Sequence, residues 1–302
     1  MINKKKSLKF WNDNAQNWSK MAYSDKKNYT LFPSSEIRNF EIANYLKDKN
    51  KKSKILDIGC ADGKLMEDFI NLGFQDLSGI DNSENMISIA KKKLKKNNLN
   101  LNFYTQDVEK IKLKDKYNII TAIGLIEYLN NINKFSTKID SLLKKNGILI
   151  IESRNKLFNL YSSNRYTLND KKKLDKYFEE VTNFEKEFKT KELEQITINV
   201  IKKINEYSKI HKKTNHKIIQ KKVAQIPLTL PQYTPKEIDK IFLKKNYRKI
   251  KNIFYHAHLF PPNFSKYMPQ LFNKIGVIMQ PYGHTSLGPL ICSSFLSIYK
   301  KL

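Results

Sequence analysis

Five short apolar runs between Lys54 and Ser153 alternate with stretches of helical periodicity, and this alternation restricts the chain to stacked strand-helix-strand units with a mostly parallel sheet. The runs are KILDIG (54–59), LSGID (77–81), LNFYTQD (101–107), YNIITAIG (117–124) and GILIIES (147–153). Between them, Ile87, Ala90 and Leu94 share one face of a helix, as do Phe135, Ile139, Leu142 and Leu143 further on.

After the fifth run the pattern changes. Residues 165–226 are lysine-rich and helical in period, with Leu174, Tyr177, Phe178, Val181 and Phe184 on one stripe and Leu193, Ile196, Val200, Ile204 and Tyr207 on another. This segment is expected to be an inserted helical cap that packs on its own core or forms a homodimer contact. Beyond it, YTPKEIDKIFLKKNY predicts a helix opening near Pro235, followed by a strand NIFYHAHLF and a last strand LICSSFLSIYKK. The intervening GVIMQPYGHTSLGP is rich in Gly and Pro and is expected to be a long loop able to cover a site. The expected fold is therefore α/β: a Rossmann-like doubly wound sheet, mostly parallel with an antiparallel last strand, plus the inserted helical cap. Its parts are 1–164, 165–226 and 227–302.

The 302 residues carry 56 Lys and Arg against 29 Asp and Glu, a formal charge of +27. Such a surface attracts polyanions in principle. Only Arg38, Arg154, Arg165 and Arg248 are arginines, however, and nucleic-acid interfaces favour arginine for bidentate contacts. The lysines are scattered among Asn and Ile, as AT-rich codon usage would produce, so a nucleic-acid partner is disfavoured. Cys60 and Cys292 are the only cysteines, with no metal-ligand spacing around them, so no metal site is expected and a reducing, cytoplasmic setting fits. The basic start lacks an apolar run after it, and no stretch of about 18 apolar residues occurs.

The segment LDIGCADGKL (56–65) leaves the first strand and enters the first helix. A glycine-rich turn there lets the backbone approach a nucleotide-like ligand at the carboxyl edge of a parallel sheet. A dinucleotide fingerprint would need glycine at three positions held here by Gly59, Ala61 and Lys64, and Lys64 disqualifies it. Asp81 ends the second strand, where a carboxylate can take the two hydroxyls of a ribose. Both Asp62 and Asp81 also stand where helix N-caps are expected.

The segment with Asp57, Gly59, Ala61 and Gly63 resembles motif I of class I S-adenosylmethionine (SAM)-dependent methyltransferases, with Ala61 in place of the usual second glycine. Asp81, Gln106-Asp107-Val108 and IGLIEYL (123–129) follow in the order that family shows, and FWNDNAQNWSK (10–20) is similar to the entry helix of small-molecule methyltransferases related to quinone-biosynthesis enzymes. The resemblance implies SAM bound by Asp57, Gly59, Cys60, Ala61, Gly63, Asp81, Asn82, Met86, Asp107, Val108 and Ile123, with S-adenosylhomocysteine as product. It also implies Glu127 and Tyr128 at the cofactor or acceptor edge, although the family often has His where this chain has Tyr128. Trp11 and Trp18 either cover the cofactor or pack in the core.

Methyl transfer needs an aligned nucleophile and a place for its proton. Alternation along IFYHAHLF sets Phe254, His256, His258 and Phe260 on one face, which makes His256 and His258 the leading catalytic candidates; the alternative is two structural histidines on an edge strand. Arg154 and Asn155, after the fifth strand, and Tyr233 are expected to bind substrate, Arg154 through an anionic group or else as an ion pair fixing the cap. The function expected is methyl transfer to a small-molecule acceptor, at a hydroxyl oxygen. The alternatives are an RNA or protein methyltransferase, a silent SAM- or nucleotide-binding scaffold, and a nicotinamide oxidoreductase.

Overall fold

The computed structural model describes residues 4–18, 22, 32–95, 99–162, 176–177, 179–181, 195–196, 199, 202, 230–266 and 268–302. Helices α1 (Lys4–Asn14) and α2 (Ser34–Leu46) precede β1 (Lys54–Ile58), α3 (Lys64–Asn71), β2 (Asp76–Asp81), α4 (Glu84–Lys93), β3 (Asn100–Thr105) and β4 (Tyr117–Ala122). Next come α5 (Ile132–Leu142), β5 (Leu143–Arg154) and the short α6 (Asn159–Ser162). The chain resumes with α7 (Pro235–Phe242), β6 (Tyr247–Ala257), α8 (Pro269–Met279), the single turn α9 (Gly288–Ile291) and β7 (Cys292–Lys301).

The strands form one sheet in the order β3-β2-β1-β4-β5-β7-β6, parallel from β3 through β5. Strand β7 runs antiparallel to both neighbours, as expected of the last strand. Side-chain alternation divides the apolar residues between two faces. Leu56, Ile58, Ile120 and Ala122 point to a core closed by Phe135 and Ile139 of α5 and by Ile238 and Phe242 of α7. Ile55 and Ile119 point to the opposite core, with Ile42 and Leu46 of α2 and Met66 and Phe69 of α3. Each of these side chains is fully buried or nearly so, a gain of roughly 1.5–3 kcal/mol apiece over exposure.

Chain chemistry sets the helix starts. Ser83 caps α4 by accepting the Met86 N–H, and Thr234 with Glu237 forms a reciprocal capping box on α7, with Pro235 in its first turn. Most of the expected cap lies outside the described residues. Of its stripe, Tyr177 is buried in the core that α5 and α7 close, Val181 packs against it, and Glu180 accepts the backbone N–H of Lys236.

The GVIMQPYGHTSLGP segment is not a loop. It continues α8 to Met279, passes through a 3-10 turn at Gln280–His284 and enters α9. Gly276 there serves close packing: a Cβ at this position would lie 2.6 Å from the Ala257 carbonyl oxygen and 2.7 Å from the Phe32 ring. Replacing a helical glycine by alanine ordinarily stabilises by up to about 1 kcal/mol. Gly276→Ala should instead destabilise by about 1–3 kcal/mol, because a backbone carbonyl cannot give way; urea denaturation reads the sign.

Candidate functional site

The parallel register pairs Ile58 of β1 with Ile80 of β2 and Asp57 with Thr121 of β4. The turn leaving β1 therefore folds over the end of β2: the N–H groups of Gly59 and Cys60 both donate to the Ile80 carbonyl, at 2.7 and 3.0 Å. Asp81 completes the clamp. One carboxylate oxygen accepts the Ala61 N–H at 3.0 Å and the other the Ser83 N–H at 2.9 Å. Gly59, Ala61 and Gly63 all have positive φ, +80°, +46° and +75°, so the alanine adopts a left-handed conformation.

Below the turn opens a cavity of about 590 Å³ at the carboxyl edge of the sheet, where the strand order reverses between β1 and β4. Asp57, Gly59, Cys60, Ala61, Asp81, Asn82, Met86, Asp107, Val108 and Ile123 all line it. Gly63 does not: a Cβ there would meet Leu94 at 2.8 Å and Ala90 at 3.2 Å, so it is a packing residue between α3 and α4. Trp11 and Trp18 both line the cavity, in edge contact with each other at 4.9 Å between centroids, and Trp11 touches Tyr128 at 5.8 Å. Helix α1 is held over α4 by the Ser83 hydroxyl, which donates to the Asn12 side chain at 2.6 Å.

The cavity wall is acidic. Asp57 is 3% exposed and accepts the Thr121 hydroxyl at 2.6 Å; burial lifts its carboxyl to about 6, against the opposing pull of that hydroxyl and of Arg38. Burial also raises Asp81. Glu127, in the turn after β4, is likewise 3% exposed. Its Oε1 accepts the Arg154 backbone N–H at 2.9 Å, and its Oε2 is buried with no partner among the described residues. Burial, reinforced by the neighbouring Glu152, lifts Glu127 to about 7.

The histidines lie in this cavity, not on a solvent edge, and the expected strand alternation breaks between them. His256 has φ +64°, and β6 ends at Ala257. Gln280 stabilises the bend: its side-chain oxygen accepts the His256 N–H at 3.0 Å while its amide donates to the Phe254 carbonyl at 3.2 Å. The bend brings Tyr255, His256 and His258 to the same wall. His256 and His258 stack at 4.6 Å between Phe32, 4.1 Å from His256, and Phe158, 4.9 Å from His258. Burial pushes His258 down to about 3 and His256 well below its usual value, so both rings are neutral near pH 7.

Tyr128 and Arg154 also line the cavity, Arg154 with an exposed side chain. Asn155 does not. It is fully buried, its amide donates to the carbonyls of Pro289 and Cys292 at 2.7 and 2.8 Å, and its oxygen accepts the Leu157 N–H, so both of its donors are already engaged within the protein. Tyr233 is the main-chain bridge partner of Asn155 and packs against the core, and Gln232 beside it lines the cavity instead. Sequence reasoning missed Arg38, Glu152 and Tyr255. Arg38 bonds Glu152 at 3.2 Å, Tyr255 donates to the other oxygen of Glu152, and all three face the cavity. The scarcity of arginine singled out Arg38 as readily as Arg154, but only the fold joins α2, β5 and β6 at this point.

Fold and site together define a doubly wound α/β domain built to hold a nucleoside with cationic groups. A family model described as a methyltransferase domain matches residues 49–226, and the chain belongs to that family. Among curated relatives, the chain is 38% identical to the ubiquinone biosynthesis O-methyltransferase of Pelagibacter ubique over 126 residues, 41% of this chain and 51% of that protein. It is 32% identical to the enzyme of the same name from Coxiella burnetii over 162 residues, 53% of this chain and 66% of that protein. The first of these matches spans about half the relative's length. Magnesium protoporphyrin IX methyltransferase from Synechocystis, solved with bound S-adenosylhomocysteine, has the same fold, with a TM-score of 0.54 over 98% of this chain and 99% of that one at 14% identity.

Glu127 supplies a test of the electrostatics. Its folded carboxyl keeps a proton that the unfolded chain, titrating near 4.5, has released, so the stability it contributes is full below pH 4.5 and is lost as pH rises through about 7. The unliganded Glu127→Gln variant should therefore gain up to about 3 kcal/mol over the native chain near pH 8, with no comparable gain near pH 4. Denaturant titration at both pH values separates this from a gain independent of charge.

Proposed function

We propose that this chain transfers the methyl group of SAM to a hydroxyl oxygen of a small molecule. The observation that carries the reading is one continuous cavity with two unlike ends. Buried carboxylates on the β1, β2 and β4 turns line one end, and Phe158, Leu230, Pro262 and the neutral histidines line the other. The names of the O-methyltransferase relatives support an oxygen acceptor. Buried, free Cys60 and Cys292 are in keeping with a reducing compartment such as the cytoplasm. No described helix is long and apolar enough to cross a membrane.

The residues present fit SAM. Asp57 and its neighbours are carboxylates whose charge burial disfavours, and a ligand bearing an ammonium and a sulfonium would offset that cost. Asp81 would take the ribose hydroxyls, while Asp107 and Val108 would border the adenine. When bound, SAM supplies a methyl group already activated for displacement. The chain then has to orient the acceptor and keep water out, and Trp11, Trp18 and Tyr128 form a wall suited to exclusion.

Calorimetry with S-adenosylhomocysteine tests the cofactor. Micromolar binding is expected, weakened about 100-fold by Asp81→Ala, with no binding of NAD; well-folded protein that ignores S-adenosylhomocysteine would sink the reading. Tight binding with no turnover of any acceptor would favour a silent scaffold instead.

His256 and His258 are proposed to contact the acceptor as neutral hydrogen-bonding rings. Both nitrogens of His258 are buried without partners among the described residues, a cost of about 1–3 kcal/mol per group when no ligand satisfies it. His258→Leu should keep or raise stability and leave S-adenosylhomocysteine affinity unchanged. Labelled methyl transfer to catechol, a small aromatic hydroxyl compound matched to the aromatic walls, should fall about 10- to 100-fold. A stability loss with unchanged transfer would assign His258 to the core.

A further inference from the structure

The two histidines were the obvious proton acceptors in the sequence, and their surroundings argue against that role. A neutral base becomes charged as it works, and a protonated imidazole here would be a buried cation among Phe32, Phe158 and Phe272. The groups acting on His256 besides burial are His258 and Arg154, and both oppose its protonation. No carboxylate among the described residues bonds either nitrogen of His258.

Glu127 has the opposite character. The 3-10 turn Ile126–Tyr128 holds it at the crevice between β4 and β5, and the Arg154 N–H fixes Oε1 while leaving the buried Oε2 unpartnered in the cavity wall. We propose that Glu127, and neither histidine, takes the acceptor's proton during methyl transfer. The inference rests on the hydroxyl-acceptor reading above. As the acceptor oxygen forms its bond to the methyl carbon, the carbon–sulfur bond breaks and its electron pair stays on sulfur. The hydroxyl proton moves to Oε2 of Glu127, which becomes a neutral carboxylic acid, and the sulfonium charge disappears in the same step.

The groups facing Glu127 agree with this direction. Glu152 on β5 repels its negative charge, so protonation relieves that repulsion, while Arg154 on β5 partly stabilises the carboxylate beforehand. Tyr128 on the same turn and Tyr233 on the segment returning to β5 are both held protonated by burial and by Glu127 itself, so neither competes as a base. With a carboxyl poised at about 7, Glu127 is ionised in a useful fraction of molecules near neutral pH and still basic enough to accept a proton.

The test compares two phenols in the full-length chain: catechol, whose hydroxyl is protonated near neutral pH, and nitrocatechol, whose hydroxyl is largely ionised and needs no base. Glu127→Gln retains an oxygen for the Arg154 N–H, and its affinity for S-adenosylhomocysteine checks that the site is intact. The variant is expected to lose about 100-fold or more in kcat/KM for catechol and less than about 5-fold for nitrocatechol. The acidic limb of the catechol profile should vanish with it, whereas His258→Asn should lower both phenols alike and keep the limb. Equal losses on both phenols in Glu127→Gln, or a limb that survives, would overturn the assignment while leaving methyl transfer intact. Native protein that binds S-adenosylhomocysteine and methylates neither phenol would overturn the hydroxyl-acceptor reading and this inference with it. If Glu127→Gln impairs S-adenosylhomocysteine binding, Glu127→Asp carries the same comparison, with partial retention of catechol transfer expected because the charge remains.

Discussion

Everything at this site depends on β1 lying between β2 and β4 in parallel register. That register sets Asp57 against Thr121 and brings the end of β2 under the turn that leaves β1. The turn needs three left-handed residues in five, and one of them is Ala61. A left-handed conformation costs an L-residue roughly 1–2 kcal/mol. The bond from the Ala61 N–H to the Asp81 carboxylate is charge-assisted and contributes about 1.5–3 kcal/mol, enough to hold the alanine where glycine would adopt the shape freely. Asp81 thus has two tasks, shaping the turn and presenting negative charge to the cavity, and the packing of Gly63 against Leu94 and Ala90 seats the following helix behind it.

The same geometry makes the cavity electrically lopsided. Asp57, Asp81, Glu127 and Glu152 converge from four strands or their turns, against Arg38, the exposed Arg154 and Lys64, which is paired with Glu67 and Asp68. Burial raises the carboxyls of Asp57, Asp81 and Glu127, and a neighbouring carboxylate adds to it at Asp57 and Glu127, so the unliganded site holds its charge at a cost. A cationic ligand relieves that cost, and a neutral nucleoside would not. The histidine end has the reverse bias: desolvation removes protons, leaving an aromatic surface with unsatisfied nitrogens. One end of the cavity therefore selects for charge and the other for a flat, apolar body carrying hydrogen-bonding groups.

The parallel half of the fold was legible because its signals are local. Each strand is a contiguous apolar run ending in a turn or an acidic residue, and the residues expected to bind the cofactor sit on those ends. Gly63 was misassigned because a glycine kept for helix packing looks, in sequence, like one kept for ligand approach. The Gly/Pro-rich segment before β7 misled in the same way: Gly276 and Pro289 read as punctuation, whereas one admits the Ala257 carbonyl and the other lies in the first turn of α9. Asn155 occupied the expected strand end, but its amide closes the junction of β5 with α9 and β7. The bend at His256 was invisible, since a period of two assumes extended backbone throughout and it is the distant Gln280 that stabilises the departure.

The acceptor end escaped sequence reasoning for a further reason. The wall proposed for the cofactor comes mainly from residues 57–129, one unbroken stretch inside the segment that matches the family. The wall proposed for the acceptor is assembled from Phe158 within that segment and Leu230, His256 and His258 after it, with Phe32 from before it stacked on His256. Its members stand far apart in the chain, and its shape depends on a left-handed bend and on helix α8 pressing against β6. The family match accordingly takes in most residues of the wall proposed for the methyl donor, whereas the wall proposed for the acceptor comes together through packing of segments that no single motif spans.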